Sequence, residues 1–189
     1  MQNRYSDSGS WWPHETLRTL WELAWWVPPQ RLRIEFLNPE RNRDRYGDDP
    51  LAPGRYAADW AFATTLVANP LGWFEASGLS PAFAGAVGAL ARTWKGQRGE
   101  MHAGTILPVG VRPSGAATCG FLSSSPGAVH LLVFREPLAA AGSSELALPP
   151  GTPTGPWRLV AGSGSAEATA GGVRLSGLTS PGWGWWRAG

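Results

Sequence analysis

The chain has 189 residues, enough for one ordinary domain or two small ones, and 43% of them are hydrophobic, so a core can form. The net charge is only +2 and the bases are mixed with acids, as in "RNRDRYGDD", so no basic stripe marks a nucleic-acid partner. One cysteine, Cys119, excludes an internal disulfide or a thiolate cluster, and His14, His102 and His130 lack ligand spacing, so neither a metal nor a cofactor is expected.

Arg outnumbers Lys 15 to 1, a bias of GC-rich coding, and twelve Trp exceed ordinary usage. No secretory h-region follows Met1, and no apolar run approaches the ~18 residues of a membrane span. The expectation is a cytoplasmic protein with no membrane partner, although a truncated N-terminus would take its targeting signal with it.

The first predicted element is a helix over residues 13–27. Leu17, Leu20, Trp21, Ala24 and Trp25 recur at helical spacing, Pro13 suits the first turn, and Pro28-Pro29 stops it. "RLRIEFL" alternates next, a strand with Leu32, Ile34 and Phe36 on one face and the charged Arg33 and Glu35 on the other. A polar loop to about Arg55 follows, then a helical segment over 56–68 closed by Asn69-Pro70, then a strand in "LGWFEAS". Ser80-Pro81 opens a third helix with Phe83, Val87, Leu90 and Trp94 as its buried stripe.

Near Gly104 the composition changes. Gly, Pro, Ser and Thr separate eight short runs: "TILPVGV", "ATCGFLS", "AVHLLVFRE", "SELALP", "WRLVAG", "SAEATA", "VRLSG" and "WGWWRA". That spacing predicts an antiparallel sandwich over 104–189. Residues 1–103 alternate helix and strand but hold only two strands, too few for a self-sufficient parallel sheet.

The order "WPHETLRTLWELAWWVPPQRLRIEFLNPERN", "DDPLAPGRYAADWAFATTLVANPLGWFEASGL", "HAGTILPVG" and "LLVFRE" resembles the C-terminal part of bacterial α-galactosidase-like glycoside hydrolases of the melibiase clan. The resemblance ends near Glu136, and the rest fits in type only. It implies the last elements of a (β/α)8 barrel over 1–103 followed by the β-sandwich. It also implies a retaining mechanism with one Asp as nucleophile and another as acid/base. "RYSDS" stands where the clan has its acid/base segment, so Asp7 matches the general acid/base and Arg4 its neighbour. No nucleophile can be carried over, so the implied partners are a carbohydrate substrate and a missing N-terminal barrel portion.

Each candidate has a plainer reading beside it. Asp7 has the plainer reading of a solvated or capping residue near a frayed terminus, the common fate of such groups. Trp11 and Trp12 offer faces for a sugar ring, but core packing is the favoured use of indoles in so Trp-rich a chain. Asn38, Arg41 and Asp44 follow a strand and suit sugar hydroxyls, or else a solvated loop with internal ion pairs. Asp48-Asp49 lack the alternating oxygens of a calcium loop. Glu75 fits a site rim or an Arg partner, the latter favoured. Trp183, Trp185 and Trp186 form either a sugar platform or, by default, core. "GVRPSG" and "GSGSAEATAGG" are turns, not phosphate cradles, and no G-x-S-x-G elbow occurs. The expected function is therefore a portion of a retaining hydrolase, inactive alone on α-galactoside-type bonds. A non-catalytic carbohydrate-binding or structural β-sandwich module is the alternative.

Overall fold

A computed structural model describes residues 11–38, 40, 46–72, 79–153 and 155–189. The first helix, α1 (Pro13–Leu23), buries Leu17 and Leu20 completely and carries Pro13 in its first turn. It ends four residues before the expected Val27. The chain continues as turns, held by Ala24 N–H to the Leu20 carbonyl (3.0 Å) and Val27 N–H to the Leu23 carbonyl (2.8 Å). Trp25 and Trp26 face outward there, 56% and 85% exposed.

Strand β1 (Arg33–Phe36) pairs in parallel with β2 (Asn69–Gly72), from Arg33 opposite Asn69 to Phe36 opposite Gly72. Asn69-Pro70, expected to end a helix, instead opens this strand. The Asn69 amide donates to the carbonyls of Gln30 (2.6 Å) and Leu32 (3.2 Å), which ties the two strands at their entry. Helix α2 (Ala58–Ala63) is shorter than the predicted 56–68. The Thr64 and Thr65 hydroxyls bond back to the Ala61 and Phe62 carbonyls (both 2.8 Å), competing with helix propagation. Helix α3 (Pro81–Ala103) starts as expected, with Ser80 Oγ accepting from Phe83 N–H at 3.1 Å.

All eight runs predicted as strands are strands: β3 (Thr105–Gly110), β4 (Thr118–Ser125), β5 (Ala128–Arg135), β6 (Ser144–Ala147), β7 (Arg158–Gly162), β8 (Ser165–Thr169), β9 (Gly172–Ser176) and β10 (Gly182–Ala188). They form two antiparallel sheets, ordered β3-β4-β5-β10-β7 and β6-β9-β8. The described residues thus hold a β-sandwich and two parallel strands, and no barrel.

The five-stranded sheet is the middle layer. In β5, Val129, Leu131 and Val133 meet Leu146, Val173 and Leu175 of the smaller sheet, while Leu132 and Phe134 join the cluster with Trp60, Phe62 and Trp94 of the helices. Every residue of β5 is buried, as a strand covered on both faces must be. The helical side and the large sheet therefore share one core that runs across position 104.

The Trp excess finds its use at these seams. Trp60 donates to the Gly182 carbonyl (3.0 Å), Trp94 to the Leu66 carbonyl (2.7 Å), Trp21 to the Val109 carbonyl (3.2 Å) and Trp183 to Asp59 (3.1 Å). An indole buries a large apolar body and still satisfies one polar atom, so it suits a helix–sheet seam. Trp185 donates to His130 Nδ1 (3.1 Å), whose Nε2 is 2.7 Å from Glu100, and Glu100 also receives Arg187 Nε (2.7 Å). That chain joins α3 to β5 and β10.

Candidate functional site

The C-terminal end of β1 is where the predicted site should assemble. Arg4 and Asp7 lie outside the described residues, as do Arg41, Asp44 and Glu75. Trp11 is a core residue, 3% exposed, with its ring edge-on to Phe36 at 5.4 Å. Core packing, the plainer of its two readings, is the one that describes it. Trp12 is half-buried, edge-on to Tyr46 (4.8 Å) and His14 (5.6 Å), and keeps part of its surface open. Asn38 closes its own turn, its Oδ1 accepting from Glu40 N–H at 2.9 Å.

Alternation along β1 breaks the sequence expectation at one residue. Arg33 is exposed, as a charge on the polar face should be, but Glu35 on that face is 3% exposed. Its Oε2 has no hydrogen-bond partner among the described residues. Leaving a buried acceptor unmade costs about 1–3 kcal/mol, more for a charged one, so Glu35 is an unusual residue in this strand.

A second buried polar group sits at the start of α1. His14 stacks on Tyr56 (6.5 Å between rings, 18° apart), and its Nε2 lies 3.2 Å from Glu15. Burial holds the imidazole below its ordinary pKa against the pull of Glu15 and Glu136, so it is neutral. Burial pushes the Tyr56 phenol far above its ordinary value, with Glu136 adding to the effect. Glu136, fully buried, accepts backbone N–H bonds from Ser114 (2.9 Å), Gly115 (2.7 Å) and Ala117 (2.9 Å) on Oε2. Among the described residues His14 Nδ1, Tyr56 Oη and Glu136 Oε1 lack partners. Sequence reading missed this group: His14 looked solitary, and Glu136 was only the end of "LLVFRE". The "GVRPSG" turn turns out to supply two of the amides that fix Glu136.

Two carboxylates line a cavity of about 330 Å³ between residues 53–59 and the start of α3, namely Glu40 and Asp59. Both already accept bonds, Glu40 from Ser80 Oγ (3.1 Å) and Asp59 from Trp183. Trp183, Trp185 and Trp186 are 5%, 0% and 1% exposed, so the C-terminal indoles close the core and make no sugar platform. Among the described residues no cluster of three metal-ligating side chains forms, and no helix is long and apolar enough to cross a membrane. Cys119 is buried, which raises its thiol pKa and removes it as a nucleophile.

No family model matches the sequence, and no curated protein does. Solved structures do. A GH36 α-galactosidase from Geobacillus stearothermophilus, a variant crystallised with raffinose, matches at a TM-score of 0.65 and 16% identity over 93% of this chain. A variant crystallised with 1-deoxygalactonojirimycin matches at 0.58 and 14% over 85%. The present chain spans 24% and 22% of those two chains. At such identities the likeness is one of fold alone.

Proposed function

We propose that the chain is the closing portion of an α-galactosidase-like retaining glycoside hydrolase, acting on α-galactoside-type O-glycosidic bonds together with a barrel portion supplied by further polypeptide. The observation that carries this reading is one arrangement: a parallel strand pair under three helices, followed by an antiparallel sandwich, in the order that aligns with 93% coverage on a GH36 α-galactosidase.

The physics of β1 and β2 supports it. Four residues each, they form a two-strand parallel sheet, which is rarely stable without further strands. Ile34 and Phe36 pack on the helical core, which puts Arg33 and Glu35 on the opposite face; Arg33 there is exposed, while Glu35 is buried within this chain. Glu35 lies one residue before the C-terminal end of its strand, the rim on which barrel sites are built, with Asn38 just beyond it.

In this mechanism a carboxylate from the supplied portion attacks the anomeric carbon while Asp7 protonates the departing oxygen. Asp7 then takes a proton from the water that releases the sugar. The two carboxyl groups work about 5 Å apart, and no cofactor is called for. Arg4 neighbours Asp7, Trp12 and Asn38 contact the sugar, and Trp11 supports them from the core. The test is hydrolysis of p-nitrophenyl α-galactoside. The 189-residue chain alone should be inactive, and the chain made with its preceding coding region should be active. Asp7→Asn in the longer protein should lose about 10²–10⁴-fold in rate. Full activity in that variant would remove Asp7 from the mechanism.

A second reading is a non-catalytic carbohydrate-binding or structural module. The complete core between the two antiparallel sheets favours it, since that part needs no further strands. It predicts no hydrolysis from any longer form.

A further inference from the structure

A groove of about 750 Å³ runs between the end of α1, β3 and β6, lined among others by Trp25, Ser114, Thr118, Ala140, Ser143 and Glu145. We infer that it is a binding site for a neutral oligosaccharide, with the Trp25 indole as its stacking platform.

Four observations carry this. Trp25 is 56% exposed, yet its ring is held in place: it lies edge-on to Trp21 at 5.7 Å, and Trp21 is tied to the β3 backbone through the Val109 carbonyl. A large aromatic face fixed beside a groove is pre-organised for the C–H face of a pyranose, and little entropy is lost when it binds. Around it, Ser114, Thr118 and Ser143 offer hydroxyls, which donate and accept as sugar hydroxyls do. Glu145, the charged residue among those lining the groove, is paired with Arg174 (2.8 Å), and Arg112, next in sequence to the lining residue Val111, is paired with Glu22 (2.6 Å). Among the described residues that line the groove, none carries a positive charge to recruit a phosphate or a polyanion.

The remaining rival is an added peptide strand, because β3 and β6 are both sheet edges. Such a peptide needs pockets for alternate side chains, whereas nine of the nineteen lining residues are small, six alanines and three serines. The volume falls within the few hundred to about a thousand Å³ of small-ligand sites and suits two or three sugar rings. The inference does not depend on the hydrolase reading.

The test is titration of the full chain with raffinose and with maltotriose, two neutral trisaccharides, followed by calorimetry and by Trp fluorescence. Saturable binding is expected for at least one, weakened by about two- to tenfold by Trp25→Ala, the range that ring stacking supplies. Ala140→Trp, at an exposed position, should fill the groove and abolish binding while the fold is kept. Trp26→Ala, at an exposed indole absent from the groove lining, should leave the affinity unchanged. Absence of saturable binding by either sugar overturns the inference, as does equal affinity in Trp25→Ala and Ala140→Trp. Self-association that Trp25→Ala relieves, without sugar binding, also overturns it in favour of a protein contact. Sugar binding by this chain together with no hydrolysis of an α-galactoside by any longer form would count against the hydrolase reading alone.

Discussion

Replacing Glu136 by Ala removes the acceptor for three backbone N–H groups at 2.7–2.9 Å, two of them buried. The loop cannot easily shift to find others. Gly115 sits at φ +92, where a Cβ would meet Leu51 at 2.8 Å, and its carbonyl is bonded to Leu138 N–H at 2.9 Å. Hydrogen bonds to a charged acceptor contribute about 1.5–3 kcal/mol each. Release of the buried carboxylate's own desolvation cost offsets part of that loss. The net expectation is a destabilisation of about 3–4 kcal/mol. That is a large share of the ~5–15 kcal/mol that holds an ordinary domain. Glu136→Gln keeps an acceptor oxygen and should cost only about 1–2 kcal/mol. Urea unfolding measures both as a lower midpoint at constant slope, and amide exchange at Gly115 and Ala117 should quicken in the Ala variant. An Ala variant within about 1 kcal/mol of the parent would refute the idea that this carboxylate organises the loop.

Other expectations follow from the same geometry. Burial holds all three histidines below their ordinary pKa, His14, His102 and His130, the last against the opposing pull of Glu100. They are neutral when folded and take up protons near pH 6.5 when unfolded, so their contribution is full above about pH 6.5 and is lost as pH falls towards their folded values. Thermal melts between pH 8 and 5 should show this, and a melting temperature constant across that range would contradict it. Cys119 should react with a thiol reagent only at the rate of unfolding, because it is buried and its pKa is raised. Fast labelling of the native protein would mean that β4 opens locally. Gly120→Ala should destabilise by several kcal/mol, on the order of the largest single-site effects, since its Cβ would stand 2.0 Å from the Leu132 carbonyl oxygen. A soluble variant with an unchanged urea midpoint would be incompatible with the observed β4–β5 pairing.

Much of the fold was legible in the residues. All eight short runs after Gly104 became strands, because each is bounded by turn residues and carries a face to bury. The Ser80-Pro81 helix start held because its cap is local chemistry. The misreadings arose where distant groups decide, or where a side chain bonds back to its own helix. Helix α1 stops at Leu23, and only tertiary structure tells that Trp21 is tied to β3 while Trp25 and Trp26 turn outward. Thr64 and Thr65 end α2 early, and Asn69 was taken for a terminator although its amide holds the start of β2. Glu35 looked like an ordinary solvent-side charge, since alternation assigns a face and cannot say what covers it. His14 and Glu136 are 122 positions apart, so their proximity leaves no trace in local pattern.

The proposal that this chain closes a hydrolase barrel is tested most directly by sequencing the DNA preceding the codon for Met1. It predicts an in-frame coding region with repeated strand–helix units and an aspartate at the end of one strand. Joined to this 189-residue chain, that region should hydrolyse an α-galactoside. An in-frame stop codon with a functional promoter immediately upstream, and a chain that folds as a stable monomer by itself, would contradict it.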